Sequence, residues 1–332
     1  MNPAEAAVRK IDMWQQRHTV PAFVFAVIKK FGDDEGGKLV ALLAYFAFLS
    51  IFPLLLAALG TLGLVLANHP SLERRLIDSA FSEFPVIGSQ LHSQVGLDSL
   101  HHSTPALVVG LLGAIFGGRG LANAVQATLN TVWGVPKVDR PGLLPRQLRN
   151  LGLLGLLALG VTATAGTVVL AETARDLGID GFALRLLAFV VSCALYSVLF
   201  WLAFRVGTAS TVPGRSLVVG AVLSAVAWRS LLSAAEVIVA HYLRHAHTVA
   251  GVFGVVLGLL AWFALQATVT VYAIEADVVR TQHLWPRSIV QPPLTKADEH
   301  ALELATEVEV RRPEQQVRTR FRRSATRAPA AD

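Results

Sequence analysis

Long uncharged apolar runs alternate with short polar connections through most of the chain. Six runs are long enough to cross a hydrocarbon core as helices, which takes about 20 residues. They lie at residues 39–68, 105–116 with a polar continuation, 151–171, 186–204, 217–240 and 249–274. At about 1.5 Å per residue the first run exceeds a core of about 30 Å, so it tilts, bends or protrudes, with Pro53 as a kink point. Ahead of it, residues 20–31 form an apolar piece ending in Lys29 and Lys30. This piece is too short to span; it is either a helix lying in the membrane interface or a helical lead-in to the first span. Residues 69–104 make a long connection with Leu72, Leu76, Ala80 and Phe84 on one helical face, and Leu91, Val95 and Gly96 on another. A connection of this length calls for short amphipathic helices on the membrane surface. The predicted fold class is an all-α integral membrane protein. It has six transmembrane helices, an interfacial N-terminal amphipathic helix and amphipathic helices in the first outer loop.

Composition agrees with the pattern. The 332 residues are 53% hydrophobic and 16% charged, with a mean hydropathy of +0.53, far from an average soluble domain. Cys193, the single cysteine, sits inside an apolar run, which excludes a disulfide framework and a cysteine-based metal site. The N-terminus shows no short apolar core with a small-residue cleavage site, so the first span is expected to act as its own insertion signal. Six spans put both ends on one side. That side collects Lys137, Arg140, Arg146, Arg149, Arg205, Arg215 and the basic tail; the other holds Arg74, Arg75, Arg175, Arg185 and Arg244. By the positive-inside rule both termini are expected in the cytoplasm. Three parts follow: an N-terminal segment at 1–38, a transmembrane domain at 39–284, and a basic tail at 285–332 that is largely disordered. Within the tail, 295–310 reads as a short helix with Thr295 and Asp298 spaced as a capping pair.

One polar pattern stands out against this background. After the second apolar run, Arg119, Asn123, Gln126, Asn130 and Trp133 follow at steps of four, three, four and three, one face of a helix. Gly117, Gly118 and Gly120 surround Arg119, which predicts a break or bend, and Gly113 and Gly117 have the spacing of a close helix contact. In the fifth run Arg229, Ser233 and Glu236 share a face; in the sixth, Gln266, Thr270 and Asp277 do, with Glu275 close by. A charge at membrane depth costs about 2.5–3.5 kcal/mol even on the mild insertion scale, so it needs a partner, a cavity or water. The expected arrangement pairs Arg119 or Arg229 with Glu236, Glu275 or Asp277 around an inward-leaning polar vestibule. Two readings of these residues stand: a polar pathway for a substrate, or buried pairs and amides that fix helix register.

His241 and His245 have the spacing of a helical metal pair, with His247 nearby, but no characteristic metal motif accompanies them. No metal and no cofactor is predicted. No nucleophile elbow, P-loop, dinucleotide fingerprint or zinc-protease helix occurs, so the chain is not read as an enzyme. The basic tail lacks interleaved aromatics, which argues for anionic headgroups as its partner and against nucleic acid.

The stretches LLAYFAFLSIFPLLLAALGTLG at 42–63, GLANAVQATLNTVWGV at 120–135 and YAIEADV at 272–278, with Pro213 and Gly220 between them, carry a resemblance. Over residues 20–285 the chain resembles the YihY/BrkB family of bacterial inner-membrane proteins, including its YhjD-like branch. That resemblance implies six membrane-spanning helices, cytoplasmic termini and a role in envelope integrity. It brings links to serum resistance and to export of lipid or lipopolysaccharide precursors, and an old label of ribonuclease BN. Glu275 matches the acidic position of the family's last helix, although Ala273 and Ile274 replace the usual glycine and alanine before it. The first functional expectation is translocation of a lipid or amphipathic envelope component, with Arg119 and Arg229 holding an anionic headgroup. The second is a non-transporting scaffold with envelope proteins as partners, and a membrane-bound nuclease ranks last.

Overall fold

The computed structural model describes residues 3–65, 104–176, 182–242 and 251–321. The outer-loop helices expected before residue 104 lie outside the described residues. The described residues form helices and their connections with no strand among them, an all-α membrane protein. Two helices, α1 (Pro3–Arg17) and α2 (Thr19–Asp33), precede α3 (Gly36–Val65), α4 (Thr104–Val132), α5 (Leu143–Asp176), α6 (Phe182–Gly207), α7 (Val218–Tyr242) and α8 (Gly251–Gln282), and α9 (Lys296–Glu307) closes the series. The six helices from α3 to α8 fall on the six apolar runs. By length and composition, Leu186–Gly207, Gly214–Ala234 and Val256–Gln282 are long and apolar enough to cross a membrane, among the described residues. The 32 residues of α8 extend about 48 Å, more than a hydrocarbon core, so one end projects beyond it.

The helices close into a ring. α3 packs on α4 and α8, α6 on α5 and α7, and α7 on α8, while α4 also touches α5, α6 and α8. The buried core lies at one end, where Leu129, Val132, Phe204, Leu217, Val271 and Val278 meet α2 residues Ala26 and Val27. Elsewhere large apolar side chains point outward, among them Leu112, Phe116, Leu148, Leu187 and Leu257. Exposed apolar surface on this scale fits a hydrocarbon solvent rather than water.

Two features differ from the sequence expectation. First, α4 is one continuous helix through Gly117, Gly118 and Gly120. Glycine permits a break but also permits contact, and here it serves contact. A Cβ on Gly117 would sit 3.2 Å from the Cα of Ser50, so α3 and α4 meet backbone to backbone. Second, the segment after α8 is folded over its first part rather than free. α9 begins with a complete capping box, Thr295 and Asp298 each bonding the other's backbone N–H. The chain beyond α9 then lies along the α4–α5 connection: the Lys137 and Val138 N–H groups donate to the Val308 and Val310 carbonyls. The Lys137 ammonium reaches Glu309 at 2.7 Å.

Candidate functional site

The face of α4 that carries Arg119 passes from surface to core along the helix. Arg119 is exposed, Asn123 half-buried, and Gln126, Asn130 and Trp133 are buried. Part of the reason is that a repeat of 3.5 residues drifts on a helix of 3.6. The rest is that α5 and α6 close over the lower half. There the amides have protein partners. Asn150 of α5 donates to Asn123 at 3.0 Å and accepts from Gln126 at 2.6 Å. Asn130 donates to the Gly207 carbonyl and accepts from the Ala209 N–H, so it caps the end of α6. The three amides thus tie α4 to α5 and α6.

Arg119 lies above this ladder and is different in kind. Its neighbours Leu112, Ile115 and Phe116 are exposed, Phe116 to 82%, and Arg119 has no hydrogen bond or ion pair among the described residues. Its depth follows from the antiparallel contact of α3 and α4, in which Gly120 meets the Phe46 ring. Phe46 lies eight residues along α3 from the exposed Lys38, about 12 Å of helix. Arg119 therefore sits well inside the apolar zone, on the outer surface of the bundle.

Glu275 and Asp277 do not pair with the arginines of the other spans. The Lys30 ammonium lies 3.3 Å from Glu275 Oε2, donates to the Val132 carbonyl at 2.9 Å and pairs with Asp34. The ammonium thus donates to two acceptors, at the end of α4 and in the turn after α2, and faces Glu275 of α8 as an ion-pair partner without a hydrogen bond. Burial alone would lower the Lys30 pKa, but the charges of Glu275 and Asp34 outweigh it and hold the ammonium above its ordinary value. Asp277 accepts from the Gly220 N–H at 2.9 Å and pairs with Arg280. The reason for both corrections is local packing. α2 lays Ala22, Ala26 and Val27 into the bundle, which brings Lys30 to Glu275, and Gly220 lets α7 reach α8. A Cβ on Gly220 would sit 3.1 Å from the Ala273 carbonyl, so the small residue of this contact stands on α7 and Ala273 is accommodated opposite.

Arg229 is half-buried, with its guanidinium 6.0 Å from the centre of the Phe189 ring on α6. Gln266 is buried, and neither of its amide atoms has a hydrogen-bond partner among the described residues. The register that sets Gly220 opposite Ala273 and Asp277 places Arg229, nine residues on, at about the level of Gln266. The Glu236 and His241 side chains, and all of His245 and His247, lie outside the described residues. The candidate residues therefore fall into separate places: Arg119 outside α4, the amide ladder under α5, the Arg229–Gln266 level, and the Lys30–Glu275 pair.

A charged knot joins both ends of the chain. Asp298 accepts from the Ser288 N–H and hydroxyl, from Arg287 Nε at 2.7 Å and from Lys29 at 2.9 Å. Burial would raise its pKa, but Ser288, Lys29 and Arg287 together hold the carboxyl well below the usual carboxylate range. Arg287 also reaches Asp33, and Asp12 accepts from the Ile289 and Val290 N–H groups. Sequence reasoning missed Lys30, Asn150 and this knot. Lys30 stands at i+4 and i+8 from Ala26 and Ala22, a spacing that marks the buried face of α2, and Asn150 is an amide beside an apolar run.

The profile of the family described as virulence factor BrkB matches residues 27–294. The chain is 26% identical over 275 residues to the inner membrane protein YhjD of Escherichia coli (strain K12), covering 77% of this chain and 80% of that protein. It is also 26% identical over 287 residues to a UPF0761 membrane protein of Alcanivorax borkumensis, covering 80% of this chain and 62% of that one. No solved structure matches. Apolar runs, bundle and family profile converge, and the chain belongs to the BrkB family of membrane proteins.

Proposed function

We propose that this protein moves an anionic, lipid-like component of the cell envelope across the bacterial inner membrane, with both termini cytoplasmic and Arg119 as the headgroup contact. Arg119 carries the reading. A guanidinium on the outer face of the bundle, without a partner among the described residues and beside Phe116, is costly in hydrocarbon unless an anion or water meets it. A phosphate or carboxylate headgroup is the anion a membrane supplies, and the planar fork of arginine suits it. At about 12 Å from the level of Lys38, the guanidinium lies deeper than a resting headgroup, so contact draws the headgroup into the bilayer while its acyl chains remain in lipid. Arg229 and Gln266, at one level of the bundle, are the described polar groups that would continue that path, and Glu236 follows Arg229 by seven residues in sequence. The Asn123, Gln126 and Asn130 ladder and Glu275 hold the helices that frame it.

The amide ladder, which ties α4 to α5 and α6, favours a second reading, a scaffold that moves nothing and recruits envelope proteins. Native mass spectrometry separates the two at the first step. Purified protein should retain anionic phospholipid, and Arg119→Gln should lose most of it while keeping its mass, helicity and melting behaviour. Equal retention in the variant contradicts the role given to Arg119.

A further inference from the structure

The chain between α8 and α9 leaves a cleft of about 670 Å³ lined on one side by Gln282, His283 and Trp285, and on the other by Lys296 and His300. His283, Lys296 and His300 are exposed, and no carboxylate lines the cleft. Lys296 and His300 are four apart on α9 and share a face. His283 ends α8 with a φ of 54°, and its ring stacks on Trp285 with centroids 5.5 Å apart and planes 11° apart. Three nitrogen-bearing side chains thus border an aromatic floor.

Charges around the cleft do not oppose an anion. The knot behind it balances Asp33 and Asp298 against Lys29 and Arg287. Glu303, 3.9 Å from His300, and Glu299, next to His300 in the chain, are acids of α9 outside the cleft lining. The N-terminus of α9 is already closed by its own capping box, so side chains rather than helix amides are the donors on offer. Trp285 also meets Phe23 of α2 edge to face at 5.4 Å. α2 exposes Val20, Val24 and Ile28 to 73%, 50% and 52%, an apolar stripe at i, i+4 and i+8 that fits the surface of a bilayer. The aromatic floor of the cleft therefore touches the helix that would meet the headgroups.

We propose that this cleft binds a phosphate ester, with Lys296, His300 and His283 donating to its oxygens and Trp285 covering the adjoining part of the molecule. The ester is either the headgroup of a phospholipid in the adjacent leaflet or a soluble phosphate compound. The site is separate from Arg119 and does not depend on transport. Calorimetric titration of the full chain in detergent tests it, using dihexanoyl phosphatidic acid as the lipid probe and glycerol phosphate as the soluble one. Loss of two charge-assisted bonds predicts binding weakened about tenfold or more in Lys296→Gln/His300→Gln. Both substituted side chains are exposed and stand clear of the knot, so the fold is expected to persist, and a matching melting curve checks that. Much tighter binding of the lipid probe assigns the site to headgroups, and equal binding assigns it to soluble esters. No binding of either probe, or binding unchanged in the double variant, overturns the proposal.

Discussion

At the scale of single residues, Lys30 has the heaviest structural duty. It is 8% exposed and faces Glu275, which is fully buried. Removing one partner of a buried ion pair leaves the other charge uncompensated, at a cost of about 3–5 kcal/mol, whereas replacing both by apolar groups is far milder. Lys30→Met should therefore lower the melting temperature in detergent strongly, and Lys30→Met/Glu275→Leu should recover most of the loss. Equal destabilisation of the single and double variants would show that the pair itself is not the cause. The polar face from Arg119 to Asn130 was legible in sequence because helical spacing needs no partner to be recognised. Partners were not legible. Lys30 and Glu275 lie on helices separated by most of the chain, and only the docking of α2 on α8 brings them together.

At the scale of elements, hydropathy located all six long helices, because an apolar run of this length has few other solutions. The glycines around Arg119 misled for a physical reason: absence of a Cβ serves a bend and a close contact equally, and the facing helix decides. The start of α5 at Leu143 was hidden because its first turns alternate exposed leucines with Arg146 and Arg149. Those turns place Asn150 between Asn123 and Gln126. Asn150→Leu removes its bonds to Asn123, Gln126 and Gln147; Gln126 keeps the Arg146 carbonyl, while the Asn123 carbonyl loses its donor, a loss of about 1–3 kcal/mol. Asn123→Leu/Gln126→Leu/Asn150→Leu, which strands none of the three, should melt higher than the single variant. A triple variant that melts lower would mean that the ladder does not act as a unit.

At the scale of the molecule, the α1–α2 segment and the segment from Arg287 to Val310 are fastened together and to the α4–α5 connection. The capping pair of Thr295 and Asp298 announced α9, but not that Asp298 would also gather Lys29, Arg287 and Ser288 from distant segments. The knot has a definite pH dependence. Burial works against the charged form of Asp298, yet its hydrogen bonds hold its pKa below the ordinary value of 3.8, and Asp12 is held low by the Ile289 and Val290 N–H groups. A depressed carboxylate stabilises the fold fully above its unfolded pKa and loses that contribution as pH falls through the folded one. Lys30, held above 10.5, stabilises fully below that value and loses its contribution only as pH rises past the folded one. Protection of the Ser288, Ile289 and Val290 amides, corrected for intrinsic exchange, should hold from neutral pH to about pH 4 and fall below it. Protection lost already near pH 6 would contradict this assignment. Arg119 is the proposed headgroup contact, so transbilayer movement of an anionic lipid should depend on it. Full-length protein reconstituted in liposomes with a fluorescent anionic phospholipid should speed its exchange between leaflets, and Arg119→Gln should remove most of that gain. Purified protein that moves no anionic lipid, or a folded Arg119→Gln that moves it as fast, would contradict the account.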